Sequence, residues 1–200
     1  MDRPAFIDLV RSRRSIRRFL PRAVEREKVI ACLEAARLAP SAHNAQPWRF
    51  LVVDDPALKE KLCRRAFAGV YRVSRFAAQA PVVIVVLVRK DIVVHFVGRR
   101  IQGTAYHLID TGIAGEHLVL QAEELGLGTC WMGWFSRRGV RRALELPRRY
   151  KVVALIPVGY PASRPPAATG RKPLPDVAWW NRVGEGEEGG ECGKAPTPEN

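Results

Sequence analysis

The sequence predicts one domain in which helices and strands are mixed around buried strands, followed by an extended C-terminal arm. Three observations predict it. The chain has 200 residues, long enough to bury a core and short enough for a single domain. Three apolar, β-branched runs, "WRFLVV", "VVIVVLV" and "KVVALIPVGYP", alternate with amphipathic stretches of helical period. There is no internal repeat, and residues 162–176 are Pro-rich without apolar runs that could form a core of their own.

Residues 4–12 predict a short helix with Phe6, Ile7, Leu9 and Val10 as its apolar side. "SIRRF" then reads as an extended stretch, punctuated by Pro21. In "EREKVIACLEAARLA" (25–39), Val29, Ile30, Leu33, Ala36 and Leu38 recur at helical spacing, and Pro40 stops the helix. "SAHNAQP" is a loop by composition. "WRFLVVDD" (48–55) is a strand closed by Asp54-Asp55-Pro56, and "ALKEKLCRRAF" is a helix. The unbroken "VVIVVLV" (82–88) marks a strand buried on both faces. A long helix is expected from about Thr111 to Leu125, with Asp110 as its N-cap and Gly126 as its stop. "TCWMGWF" is an apolar strand or turn, "RRGVRRALEL" a helix, and "KVVALIPVGYP" (151–161) another buried strand. Residues 1–183 are read as one domain whose arm spans about 162–183, and the Gly- and Glu-rich residues 184–200 as a disordered acidic tail. An arm without its own core must lie on something, and a second subunit is one economical support.

Composition bounds the function classes. The net charge is +13, and from Gly184 onward five Glu and one Lys give −4, which leaves +17 on the rest. Such a body attracts anions: phosphates, nucleotides, nucleic acid or membrane surface. The four cysteines, Cys32, Cys63, Cys130 and Cys192, are scattered and form no C-x-x-C, so free thiols in a reducing cytoplasm are expected. "MDRPAFIDLV" lacks the long apolar core of a secretory signal. The longest apolar run, residues 80–88, falls well short of the about 20 residues of a membrane helix. A cytoplasmic location is expected. No helix-turn-helix, zinc-finger or RNP-like pattern accompanies the positive charge. H-E-x-x-H, G-x-S-x-G, Walker A and G-x-G-x-x-G are likewise missing, and no metal site is predicted.

Four stretches carry chemistry. "RSRRSIRRF" (11–19) holds five arginines in nine residues. In an extended chain Arg13, Ser15 and Arg17 share one face, and Arg14, Ile16 and Arg18 the other. Two guanidiniums flanking a hydroxyl suit a phosphate or another small anion; a solvated basic surface is the plainer alternative. "APSAHNAQPWRF" (39–50) offers Ser41, His43, Asn44 and Gln46 as neutral hydrogen-bonding groups for a polar heterocycle or sugar chain, or simply for its own turn. "GLGTCWMGWF" (126–135) combines glycines that let backbone approach a ligand with tryptophans that could wall it, or makes a tight turn. Arg171 and Lys172 in "GRKPLP" form a second basic spot on the arm. Cys130 as a nucleophile finds no partner by spacing, and His117 on an apolar helix reads as structural.

In this order, "RRSIRRF", "APSAHNAQPWRF", "DTGIAGEHLVLQAEELGLGTCWMGWF", "VVALIPVGYP" and "RKPLPD" resemble the FMN-dependent nitroreductase family over roughly residues 4–176. The resemblance implies an α+β fold with a mostly antiparallel central sheet flanked by helices. It implies a homodimer with exchanged C-terminal arms and FMN at two interface sites. Carried over residue by residue, it implies that Arg13 and Ser15 belong to the FMN phosphate and ribityl end and Arg17 to the flavin N1/O2 edge, with Arg14 counted among the cofactor-binding residues. Arg14 and Arg18, on the opposite face, are also candidates for surface charge or intersubunit pairing. Pro40, Ser41 and Asn44 would reach the flavin across the interface, Gly133 and Trp134 would present backbone near N5 and O4, and Arg171 or Lys172 would cap the phosphate. Arg72 and Arg75 stand in a region where the family often binds the flavin ring. The implied activity is hydride transfer from NADH or NADPH through FMN to nitroaromatics, quinones or flavins by alternating half-reactions, with no catalytic protein residue. Relatives that fragment flavin, dehalogenate or oxidise azolines leave a specialised role open, and a non-catalytic flavin carrier or a nucleic-acid binder are alternatives from other classes. The short stretch from about 89 to 109, with His95, Phe96, Tyr106 and His107, would leave an open pocket that favours a permissive reductase.

Overall fold

A computed structural model describes residues 6–89, 104–165 and 170–183. They fall into two units, the second being 170–183. The expectations for His95, Phe96 and the acidic tail therefore lie outside the described residues.

The first unit runs α1 (Phe6–Ser12), α2 (Arg26–Arg37), β1 (Trp48–Val53), α3 (Pro56–Ala66), β2 (Val82–Arg89), α4 (Tyr106–Glu124), β3 (Gly128–Thr129), α5 (Arg137–Ala143) and β4 (Tyr150–Gly159). A short 3₁₀ turn covers Ala42–Asn44, and a longer 3₁₀ segment, which no pattern in the sequence announces, covers Gly69–Gln79. The four strands form one sheet in the order β1-β2-β4-β3, every pairing antiparallel. This is the α+β arrangement the resemblance implies.

Strand periodicity explains why the middle of the sheet reads as an unbroken apolar run. On β2, Val82, Ile84 and Val86 turn to one face and Val83, Val85 and Leu87 to the other. The first set packs with Val29, Cys32 and Ala36 of α2 and Leu118, Val119 and Ala122 of α4. The second packs with Leu62, Cys63 and Ala66 of α3 and Val140 and Ala143 of α5. An antiparallel central strand covered by helices on both sides needs apolar residues at every position. Burial also pushes the thiols of Cys32 and Cys63 up, to about 12 and about 11; both stay neutral near pH 7.

Local signals set the helix ends. Asp55 caps α3 by accepting from the Leu58 N–H at 2.7 Å, with Pro56 opening the helix. Ser136 caps α5 through the Gly139 N–H at 3.0 Å. Gly126 ends α4 in the left-handed region at φ 73°, with Leu127 N–H bonded to Ala122 O at 2.8 Å. The start of α4 corrects the sequence reading. The helix begins at Tyr106, not near Thr111, and Asp110 is not its N-cap; Ala105 precedes it without a side-chain cap. Asp110 lies inside the helix, buried, and serves another segment. A carboxylate before an apolar run looks the same in sequence whichever of these roles it plays.

Candidate functional site

After α1 the chain extends along the end of the sheet. Ser15 pairs with Thr129 in a parallel bridge, and the Ile16 N–H donates to Thr129 O at 2.8 Å. Farther on, Phe19 bridges to Pro161. Ile16, 1% exposed, is the apolar anchor of the segment. It fits because residue 128 is glycine: a Cβ there would lie 2.6 Å from Ile16 Cγ1. With Ile16 inward, alternation throws Arg13, Ser15 and Arg17 to one side. All three act on the thiol of Cys130. Burial pushes that thiol up, while Arg17, a hydrogen bond from Ser15, and Arg13 pull against it. Burial prevails, so Cys130 remains a neutral thiol and no nucleophile. Arg13 Nε also stands 3.7 Å from Glu116 Oε1 on α4. Arg14 turns away and donates to the carbonyls of Arg11 and Arg13, closing the end of α1.

The Pro40–Pro47 loop is built differently. His43, Asn44 and Gln46 have φ of 52°, 51° and 43°, a left-handed conformation costly to residues with a Cβ. The loop is tied to itself: the Gln46 N–H donates to Ser41 Oγ at 3.0 Å, and Gln46 Nε2 to Asn44 Oδ1 at 2.8 Å. It is tied to the body by the Ala42 N–H, which donates to Asp110 Oδ1 at 3.1 Å. The other oxygen, Asp110 Oδ2, is buried without a hydrogen-bond partner among the described residues.

Beyond β3, Met132 bridges to Leu155 and the chain turns out at Gly133 and Trp134. Nothing lies within 4 Å of where a Cβ on Gly133 would sit. Trp134 keeps 58% of its surface exposed yet is fixed: Nε1 donates to Val70 O at 3.1 Å, Ser74 Oγ donates to its carbonyl at 2.8 Å, and the Tyr71 ring lies 5.4 Å away. Trp131 packs on Gly115 of α4, where a Cβ would fall 2.3 Å from its ring.

Helix α4 thus gathers the pieces. Asp110 holds the loop, Gly115 receives Trp131, and Glu116 meets Arg13. Asp110 and Glu116 stand at i and i+6 on the helix, about 9 Å apart along its axis. Sequence reasoning read Arg13, Ser15 and Arg17 as one face; it missed Asp110 and Glu116 as supports. The i to i+6 spacing on α4 is no recognisable signal, because their partners lie far away in the chain. Arg75 lines a cavity of about 240 Å³ with Lys59, Cys63, Arg64 and Phe67, apart from the Arg13–Ser15–Arg17 face, and Arg72 is exposed. Arg171 and Lys172 belong to the 170–183 unit, whose 3₁₀ turn spans Leu174–Asp176. Among the described residues no group of three or more His, Cys, Asp or Glu could hold a metal, and no helix is long and apolar enough to cross a membrane.

Comparison with known proteins adds chemistry to this geometry. The model of the Nitroreductase family matches residues 10–160. The NADH dehydrogenase of Thermus thermophilus is 33% identical over 194 residues, covering 84% of this chain and 92% of its own. The iodotyrosine deiodinase of Thermotoga neapolitana is 29% identical over 174 residues, covering 77% and 87%. The solved FMN-dependent nitroreductase of Clostridium difficile R20291 is 29% identical, with a TM-score of 0.72, covering 88% of this chain and 99% of its own.

Proposed function

The chain belongs to the nitroreductase family, and from that premise we propose that it is an FMN-dependent oxidoreductase that draws hydride from NADH or NADPH and reduces small aromatic acceptors: nitroaromatics, quinones or flavins. The observation that carries the reading is the docking of Ile16, 1% exposed with its N–H on Thr129 O at 2.8 Å, which by alternation leaves Arg13, Ser15 and Arg17 together on the other face of one segment. Two forked cations and a hydroxyl on one extended face make a donor set suited to FMN's phosphate and electron-rich edge. The residues present fit the group. Gly133 leaves its backbone open, and Trp134 offers a fixed, exposed aromatic surface beside it.

When bound, FMN supplies reversible hydride acceptance. The protein's share is to bind, orient and tune. Arg13, steadied by Glu116, and Ser15 would hold the phosphate and ribityl end. Arg17 would place positive charge beside the N1/O2 edge and favour its reduced, more negative form. Ser41 and Asn44 would face the flavin with uncharged polar groups. Arg171 or Lys172 would add positive charge at the phosphate.

The working form is a homodimer. Phe6, Ile7 and Val10 on α1 and Leu108 and Ile109 on α4 are exposed apolar residues, and a second copy of the chain would cover them. The deiodinase relative marks the rival reading: the same site could serve dehalogenation of a dedicated substrate. The visible absorption spectrum of the purified protein, followed by anaerobic addition of NADH and NADPH, tests the proposal. A flavin band that bleaches supports the reductase. A band that resists both nucleotides points to a carrier or a specialised enzyme. No band after incubation with FMN returns the arginines to nucleic-acid binding.

A further inference from the structure

Two observations meet at Asp110. The first is the carboxylate itself. It is 3% exposed, one oxygen accepts from the Ala42 N–H at 3.1 Å, and the other is buried without a partner among the described residues. A half-satisfied acidic side chain is a poor way to fill a core: an apolar residue of similar size would avoid the desolvation. The second is the loop it grips, where three residues with side chains adopt left-handed φ within four positions. Strained backbone persists only where its surroundings over-determine it. The hydrogen bonds from Gln46 to Ser41 and Asn44 close the loop on itself but do not fix it to the body. The Ala42–Asp110 bond does, and it reaches across 68 residues to the helix that also carries Glu116, the partner of Arg13.

We propose that Asp110 is a positioning residue for the flavin-facing loop. Its Oδ1 anchors the Ala42 N–H and so sets where Ser41 and Asn44 stand for the flavin they would reach across the subunit interface. The inference rests on the FMN reading above, and its test separates the two. Asp110 itself touches no ligand; it acts through the loop.

Four variants test it. Asp110→Ala removes the acceptor. Asp110→Asn keeps a carbonyl that can accept from Ala42. Ala42→Pro removes the donor at the first position of the 3₁₀ turn, after a residue that is already extended (Ser41, φ −147°, ψ 154°) and so compatible with a following proline. The double variant Asp110→Ala/Ala42→Pro completes a cycle. Two readouts are taken: amide hydrogen exchange over residues 43–46 in FMN-free protein, and the dissociation constant for FMN by fluorescence titration. We expect exchange to quicken and the constant to rise by about tenfold in Asp110→Ala and in Ala42→Pro. Asp110→Asn should stay near native, and the double variant should be no worse than either single one, because all break one bond. Unchanged loop exchange in Ala42→Pro, full additivity in the double variant, or an Asp110→Asn as impaired as Asp110→Ala would each overturn the proposal. If Asp110→Ala fails to fold, Ala42→Pro and Asp110→Asn decide it. If the native chain takes up no FMN, the functional reading fails, while exchange in the FMN-free protein still decides whether Asp110 anchors the loop.

Discussion

The Arg13–Arg17 segment and the Pro40–Gln46 loop, proposed to meet the same flavin from the two sides of a subunit interface, are held in opposite ways. The first is relaxed backbone, extended and hydrogen-bonded to Thr129, with an apolar side chain driven into the core between its charges. The second is strained backbone, with three left-handed residues, tied to the body by a bond to a buried carboxylate. One is placed by the hydrophobic effect and alternation, the other by a hydrogen bond across 68 residues. The contrast says that the arginine face is coupled to global stability and the loop to local order.

The largest effect is therefore expected at Ile16. Ile16→Ala empties a fully buried site and should cost about 2–5 kcal/mol in denaturant unfolding, with loss of FMN uptake, since the arginines lose their anchor. Next comes Gly128→Ala. Its Cβ would meet Ile16 Cγ1 at 2.6 Å, Cβ at 2.8 Å and Cγ2 at 2.9 Å, and overpacking of this kind costs about 1–3 kcal/mol. The pair sharpens the comparison: combined with Ile16→Ala, Gly128→Ala should cost less than it does alone, because the methyl it adds occupies the space vacated. Simple addition of the two losses would show that Ile16 does not dock on Gly128.

Arg17→Gln should leave the fold intact, because Arg17 is exposed, and weaken FMN binding by about tenfold to a hundredfold, the worth of a charge-assisted contact. Unchanged affinity would move the flavin away from this face.

How much of this was legible in the sequence follows the same division. Strand β2 was legible because apolar residues at every position leave few alternatives, and the helix stop at Gly126 because glycine supplies the left-handed φ. The common face of Arg13, Ser15 and Arg17 followed from a period of two. What could not be read depends on contacts distant along the chain. Asp110 looked like a cap because its partner, Ala42, is remote in sequence. Cys130 looked idle because the charges that act on its thiol, Arg13 and Arg17, are more than a hundred residues away in the chain. The left-handed turns at His43 and Gln46 carry no glycine to announce them, and the 3₁₀ segment at Gly69–Gln79 has Trp134 as its organising contact.

A pH effect should appear where the arginine segment leaves the sheet. Leu20 N–H bonds to Tyr160 O at 2.9 Å, and the Tyr160 hydroxyl donates to Glu25 Oε2 at 2.6 Å. That bond, with Lys28 and Arg22 nearby, holds the Glu25 carboxyl well below its ordinary 4.5, at about 2. A depressed folded pKa contributes stability that is present above the unfolded value and lost as pH falls through the folded one. Thermal midpoints should therefore fall between pH 4.5 and about 2, and Glu25→Gln should flatten part of that fall. An identical acid limb in Glu25→Gln would exclude this carboxyl as its source.

The smallest effect has the most diagnostic sign. His43 is exposed, with φ 52° and ψ 29°. A left-handed residue with a Cβ costs about 1–2 kcal/mol, whereas glycine pays about 0.5–1 kcal/mol in extra backbone entropy. His43→Gly should thus raise stability by roughly 0.5–1 kcal/mol. Arg18→Gly, in the relaxed segment, has no strain to relieve and should lose about 0.5–1 kcal/mol instead. Opposite signs in matched denaturant melts would establish that one region is strained and the other is not. Two losses would mean that the left-handed loop costs the protein nothing, and strain would no longer explain why the loop needs an anchor at Asp110.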